Sequence, residues 1–453
     1  MAKIKSVYIC SECGYESPKW YGKCPSCGEW NTMNEEIKET SKASATVKRR
    51  ASAYSRPVLI NEISTEEEQR FDTGFSELNR VLGGGIVKGS LVLLGGDPGI
   101  GKSTILMQIC RNLNNLDILY VSGEESQRQL KLRADRLGVN NNNLSIMTET
   151  DVEIVCEQIK ELKPQLVMID SIQTMIIREL SSSAGSVTQV RESTNLIMHT
   201  AKDYNIPVIV VGHVNKEGSI AGPKVLEHIV DTVLRFEGDK QMSCRILRAV
   251  KNRFGSTNEI GVFEMTDKGL KEVENPSQMM LSGRPKGVSG TCVTCSLEGT
   301  RPILTEIQGL ATQSGYGNAR RMSTGFDYNR LSLLLAVLEK RAGYYFNNMD
   351  AYVNIVGGLR IDEPAVDLAI CMALVSSLKD TPISEQAVAF GEIGLAGEIR
   401  SVSQAQQRVN EAVRLGFKRI VIPYHNLKSI INKPNAEIIG VKNLRQAFEA
   451  LSE

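Results

Sequence analysis

Short runs of consecutive apolar residues recur through the middle of the chain: Leu91-Val92-Leu93-Leu94, Ile118-Leu119-Tyr120-Val121, Leu166-Val167-Met168-Ile169 and Val208-Ile209-Val210-Val211. Runs that are continuous rather than alternating are the pattern of strands covered on both faces. Ile105-Leu106-Met107-Gln108-Ile109-Cys110 and the stretch 152–162 carry helical spacing instead. Strands followed by helices in this order predict an open α/β sheet. Residues 230–237 and 244–250 predict closing strands, and 331–341 predicts a core helix. Between 34 and 57 the pattern lapses: large apolar residues thin out, and Lys38, Lys42, Lys48, Arg49, Arg50 and Arg56 dominate. That stretch reads as a flexible basic linker, a basic arm on DNA being the alternative. It sets residues 1–33 apart from an α/β domain over 58–275, and Asn275-Pro276-Ser277 opens a further unit, 276–453.

Composition changes this picture little. A chain of 453 residues exceeds one ordinary core, in agreement with several domains. A hydrophobic content of 42%, a charged content of 23% and a net charge of +1 describe an ordinary globular protein. No apolar run approaches the roughly 20 residues that span a bilayer. Met1-Ala2-Lys3-Ile4-Lys5 leads into cysteines, not into a signal-peptide core, so a cytoplasmic location is expected and no membrane partner.

The chemistry starts after the first apolar run. Gly96-Asp97-Pro98-Gly99-Ile100-Gly101-Lys102-Ser103 fits G-x-x-x-x-G-K-[ST], and Thr104 continues into the helical stretch. Backbone N–H groups of such a loop close around phosphate oxygens, Lys102 reaches the β- and γ-phosphates, and Ser103 can ligate Mg²⁺. ATP is the expected ligand. The second run ends in Glu124-Glu125, where a carboxylate faces the nucleotide crevice and can orient the attacking water; Glu124 is favoured over Glu125. The third ends in Asp170, the shape of a Walker B acid on the Mg²⁺ side, and the fourth in His213, a candidate γ-phosphate sensor. Residues 178–191, with Arg178 and Arg191 at their ends, predict a mobile loop, and 215–224, with Lys216 and Lys224, a second glycine-rich one.

Cys10-x-x-Cys13 and Cys24-x-x-Cys27 form C-x2-C-x10-C-x2-C, with a glycine after each pair. Two such knuckles complete a tetrahedral Zn²⁺ site, and a redox role for either pair is the alternative. So small a segment has no core of its own, so the metal would supply its folding energy. Trp20, Tyr21 and Trp30 are expected to pack around the site. Cys292 and Cys295 form another C-x-x-C, but no second knuckle follows and the stretch alternates like a strand. Residues three apart then face opposite sides, so these are expected to be packing cysteines.

The ribbon, the phosphate loop, the stretch from Gly212 to His228 and Lys251-Asn252-Arg253-Phe254-Gly255 together resemble the bacterial RadA (Sms) family of DNA repair proteins along essentially the whole chain. The resemblance implies a RecA-like ATPase core, rings (a homo-hexamer is expected) on single-stranded and branched DNA, and branch migration of intermediates made by the RecA recombinase. It also implies that Lys251 and Arg253 reach a neighbour's nucleotide, with Arg178, Arg191, Lys216 and Lys224 tracking DNA phosphates.

Residues 361–369 and 391–400 resemble the proteolytic domain of Lon. The match puts Ala365 where the nucleophilic serine belongs and Gln406 where the lysine should stand. Neither can do that chemistry, so a scaffold without protease activity is expected. The fold class expected is thus α/β: a RecA-like P-loop core with an N-terminal C4 zinc ribbon and a C-terminal α+β Lon-like domain. The functional alternative is a nucleotide-switched scaffold or loading ATPase without motor activity.

Overall fold

The computed structural model describes residues 4–11, 15–26, 28–39, 59, 69–213, 226–238, 244–315, 319–431 and 435–452. The described residues fall into two compact units. One draws on Met1–Glu237, Arg245–Thr257 and Phe263–Glu272, the other on Gly238–Cys244, Asn258–Val262 and Val273–Glu453.

At the N-terminus, β1 (Ile4–Cys10), β2 (Glu16–Ser17) and β3 (Met33–Glu39) make an antiparallel sheet in the order β2-β1-β3. Cys10 ends β1, and its N–H donates to Tyr15 O at 2.9 Å; Gly28, at φ +76°, closes a similar turn onto Cys24 O. Cys10 and Cys24, one from each knuckle, are buried together with Met33. The expected aromatic wrapping is not what forms. Trp20, Tyr21 and Trp30 are 54%, 42% and 68% exposed, and it is Met33 and Tyr8 that pack against the buried cysteines. The Trp20 indole N–H donates to Met33 O at 3.1 Å, and the Lys23 ammonium lies over the Trp30 ring, 5.7 Å from its centroid.

The α/β part opens with β4 (Arg70–Phe71), α1 (Ser76–Leu82) and β5 (Ile86–Val87). Then come β6 (Leu91–Gly96), α2 (Lys102–Asn112), β7 (Ile118–Ser122), α3 (Gln127–Arg136), β8 (Leu144–Thr148) and α4 (Val152–Leu162). Next are β9 (Leu166–Asp170), α5 (Val187–Tyr204), β10 (Val208–His213) and β11 (Thr232–Glu237). An antiparallel run, β12 (Cys244–Asn252), β13 (Ile260–Thr266) and β14 (Gly269–Glu272), completes a nine-stranded sheet of order β14-β13-β12-β11-β6-β10-β9-β7-β8. The apolar runs are its central strands: every residue of β6, β7 and β9 is buried. Edge strand β8 is only half-covered, which is why Leu-Ser-Ile-Met-Thr gives no continuous run.

The second unit holds a seven-stranded mixed sheet. Its strands are β15 (Thr291–Glu298), β16 (Arg301–Gln313), β17 (Arg321–Thr324), β18 (Met349–Ile355), β19 (Ala387–Ala389), β22 (Arg419–Pro423) and β23 (Glu437–Val441), with the small hairpin β20 (Glu392–Ile393) and β21 (Ile399–Arg400) beside them. The helix expected over 331–341 spans Tyr328–Val337 and continues as a π-turn to Ala342. The helix Asp367–Lys379 is buried along most of its length against β15 and β16. Cys292 and Cys295 are fully buried in β15; Cys295 packs in the cluster with Val293, Val388 and Phe390, from which Cys292 is absent. Burial raises both thiols, Cys292 to about 12, which leaves neither a ready thiolate for metal or redox chemistry.

Candidate nucleotide site

The crevice forms where β6, β7 and β9 end together. Parallel pairing fixes this: Ser122 stands opposite Asp170, and β10 lies between β9 and β6, with His213 opposite Gly96. In an open sheet this C-terminal edge is where ligands are met.

The phosphate loop joins β6 to α2. Gly101 caps α2 at φ +120°, a left-handed backbone that favours glycine; the nearest atom to a Cβ there would be the flexible end of Met265, at 2.8 Å. Gly99, at φ +80°, faces open space. Lys102 is buried and folds back over its own loop, donating to Gly96 O at 2.8 Å and Asp97 O at 3.0 Å. Burial pushes its ammonium down, opposed by the Asp170, Asp97 and Glu124 carboxylates. That balance puts the lysine and the two strand-end acids in one electrostatic neighbourhood. Ser103 and Thr104 follow in the first turn of α2.

Glu124 and Glu125 part company. Glu125 forms an ion pair with Arg133 of α3, and its N–H donates to Ser122 Oγ at 3.0 Å. Glu124 turns toward β9, where Ser171 Oγ donates to Glu124 Oε1 at 2.6 Å. Asp170 accepts from Tyr120 Oη at 2.9 Å, and burial with that carboxylate raises the phenol well above its ordinary range. The two turns interlock: Gly123 N–H donates to Asp170 O at 3.1 Å, and a Cβ on Gly123 would stand 2.1 Å from Thr174 Oγ1. Ser103 and Asp170 supply a hydroxyl and a carboxylate at the same end of the sheet, the hard oxygen donors that suit Mg²⁺. Sequence reasoning missed Ser171, Arg133 and Tyr120. A tyrosine inside a fully buried strand needs a polar partner, and that signal was available for Tyr120.

Lys251 and Arg253 lie elsewhere. Asn252 pairs with Thr232, which pairs with Val92, so the motif sits at the beginning of β6. Arg253 pairs with Asp231 at 3.0 Å, and Asp231 Oδ2 accepts from Leu91 N–H at 3.1 Å. From Leu91 to Gly96 the strand rises about 16 Å, so both cations are remote from their own phosphate loop. Lys251 donates to Glu227 O at 2.5 Å and Val230 O at 2.8 Å, and burial with nearby Arg253 lowers it. Asn252 Nδ2 donates to Val81 O and Leu82 O, both at 3.2 Å, and so caps α1.

The loop expected to be mobile is fastened down. Gln189 accepts from Ile177 N–H at 2.9 Å and donates to Ile177 O, Leu180 O and Ser182 O. Arg178 pairs with buried Asp151 at 2.6 Å. Arg191 belongs to α5 rather than to a loop, beside Glu192 at 2.9 Å. Lys216 and Lys224 lie outside the described residues, as do Cys13 and Cys27. The described half of the ribbon, two buried thiols from separate knuckles in one cluster, fits Zn²⁺ by donor type. In the second unit, Ala365 is buried in the short turn Pro364–Val366, and Gln406, in the helix Ala405–Arg414, donates to Asn410 Oδ1 at 2.9 Å. Among the described residues no helix is long and apolar enough to cross a membrane.

Family models match three segments: a rubredoxin metal binding domain over 8–35, an AAA domain over 57–219 and subunit ChlI of Mg-chelatase over 331–426. The chain is 54% identical to the DNA repair protein RadA of Bacillus subtilis, over 99% of each chain. Identity to the proteins of that name from Listeria monocytogenes and Streptococcus pyogenes serotype M6 is 52% over 99% of each and 50% over 100% of each. A crystal structure of the RadB recombinase aligns with 45% of this chain and 99% of its own, at 24% identity and a TM-score of 0.37. An AAA domain, a zinc ribbon that precedes it and a ChlI-type C-terminal domain that follows it thus make up a chain that belongs to the family of the DNA repair protein RadA.

Proposed function

We propose that the chain is a DNA-dependent ATPase of recombinational repair that assembles as a homo-hexameric ring in which each nucleotide lies between two subunits. The observation that carries this reading is the separation of charges. Lys102, Glu124 and Asp170 share one edge of the sheet, and Lys251 and Arg253 stand at the other, about 16 Å along β6. A pair of cations so placed is suited to a nucleotide held by another copy.

Gly96 to Thr104 cradle the phosphates, with Lys102 on the β- and γ-oxygens. Ser103 and Asp170 would hold Mg²⁺, which when bound neutralises charge on those oxygens. Glu124 orients a water and takes its proton as the water oxygen bonds to the γ-phosphorus. The bond from that phosphorus to the bridging oxygen breaks, and its electron pair leaves on ADP. Lys251 and Arg253 of the next subunit stabilise the charge that develops. His213, at the tip of β10, senses the γ-phosphate. Cys10, Cys13, Cys24 and Cys27 would hold Zn²⁺, which supplies folding energy to the ribbon. Arg178, Arg191, Lys216 and Lys224 contact DNA phosphates, and the substrates are single-stranded and branched intermediates made by the RecA recombinase. Burial of Ala365 and the Gln406 amide support a C-terminal domain without protease chemistry.

The test is ATP turnover with and without single-stranded DNA, together with branch migration of three-strand intermediates. Lys102→Ala is expected to abolish both activities. Turnover indifferent to DNA, or branch migration unaffected by Lys102→Ala, overturns the reading.

A further inference from the structure

We infer that Ser171 is a positioning residue for ATP hydrolysis, acting through Glu124. The inference rests on the reading of Glu124 as the water-orienting acid. Two carboxylates stand at the ends of adjacent parallel strands, Glu124 just beyond β7 and Asp170 at the tip of β9. Each has its own hydroxyl. Tyr120 Oη donates to Asp170 Oδ2 at 2.9 Å, and Ser171 Oγ donates to Glu124 Oε1 at 2.6 Å.

A serine hydroxyl has one proton to give. Given to Glu124, it fixes the rotation of that carboxylate and so the direction in which its second oxygen meets the attacking water. Ser171 is itself held. It is fully buried, and its carbonyl accepts from Thr174 Oγ1 at 2.8 Å. Thr174 in turn packs against Gly123, the residue before Glu124. The neighbouring Glu125 is drawn away by Arg133, so the serine selects one acid of the pair. Without the hydroxyl, Glu124 loses the bond that sets its rotation.

The experiment compares steady-state hydrolysis of Mg-ATP by the full-length wild type, Ser171→Ala, Ser171→Thr and Glu124→Gln, with nucleotide binding measured on each. Ser171→Ala is expected to lower kcat about tenfold while KM and the affinity for ATP stay within about twofold, since misplacing a catalytic group costs rate rather than binding. Ser171→Thr keeps the hydroxyl on an extended backbone and is expected to restore most of the rate. Ser171→Ala in a Glu124→Gln background should lower turnover no further, because the two act as a unit. Unchanged kcat in a Ser171→Ala protein that binds ATP overturns the inference. So does a loss of ATP affinity equal to the loss of rate, which would mean the serine acts on binding. Should Ser171→Ala fail to fold, Ser171→Cys, with its weaker donor, is expected to fall between wild type and Glu124→Gln, and wild-type turnover there overturns the inference. Full turnover by Glu124→Gln would instead sink the underlying reading, and the inference with it.

Discussion

Arg408 is fully buried in the second unit, and four of the five N–H donors of its guanidinium are taken by named partners. It pairs bidentately with Glu363, donates to Cys295 O at 2.6 Å and Ser403 O at 3.0 Å, and stacks 5.8 Å from the Phe390 ring. Glu363 also accepts from Leu297 N–H at 2.8 Å. These bonds join β15, the helix Ala405–Arg414 and the turn that carries Ala365, where a Lon-type nucleophile would otherwise stand. The two partners are not equivalent, because the Glu363 side chain is 23% exposed and the arginine is not exposed at all. Glu363→Ala strands a guanidinium without its counter-charge and is expected to cost about 3 kcal/mol, whereas Arg408→Met leaves a carboxylate that water can reach and is expected to cost about half that. Urea unfolding of the two variants measures the difference. Equal losses would show that packing, not charge, sets the stability of this corner.

At the scale of elements, one side chain makes most of the bonds that hold residues 177–182 after β9. Gln189 binds one N–H and three carbonyls of residues 177–182 from the first turn of α5. Gln189→Leu removes those partners at similar volume and is expected to cost about 2 kcal/mol locally. Amide exchange over 177–186 should speed markedly while β6, β7 and β9 stay protected; unchanged exchange would mean that the Arg178–Asp151 pair suffices. Here the limits of sequence reading are physical. Central strands are legible because burial on both faces writes a continuous apolar run, as in Leu166-Val167-Met168-Ile169. Through them the meeting of Lys102, Glu124 and Asp170 at one edge of the sheet was legible too. The half-exposed β8 writes no such run, and neither did β13 or β14 stand out before the sheet was seen. The serines at 181–183 look mobile until Gln189 is found bonded to the Ser182 carbonyl across seven residues. Ser171 and Glu124 are 47 residues apart, and nothing periodic links them. Polar partnerships between separate turns are set by the fold, and pattern alone carries no trace of them.

At the scale of the whole molecule, the charge separation along β6 makes a prediction that a self-sufficient subunit does not. Arg253 is held beside Asp231 at the start of the strand, half-exposed, on the edge remote from its own phosphate loop. Arg253→Ala should therefore fold, bind ATP with near-normal affinity and lose DNA-stimulated turnover, while Lys102→Ala loses turnover at its own phosphate loop. The two defects fall on different subunits of any shared site. In a mixed ring, a subunit with an intact Lys102 can receive Arg253 from a Lys102→Ala neighbour, so an equimolar mixture of the two inactive variants should recover turnover. Head-to-tail contacts with random placement give a ceiling of roughly a quarter of the wild-type sites. ATPase rates of pre-mixed and separately assayed variants, compared at constant total protein, measure the recovery. A mixture no more active than its components would mean that Arg253 serves its own chain, or that the subunits do not share sites; recovery near the ceiling requires that each nucleotide be completed by a second copy.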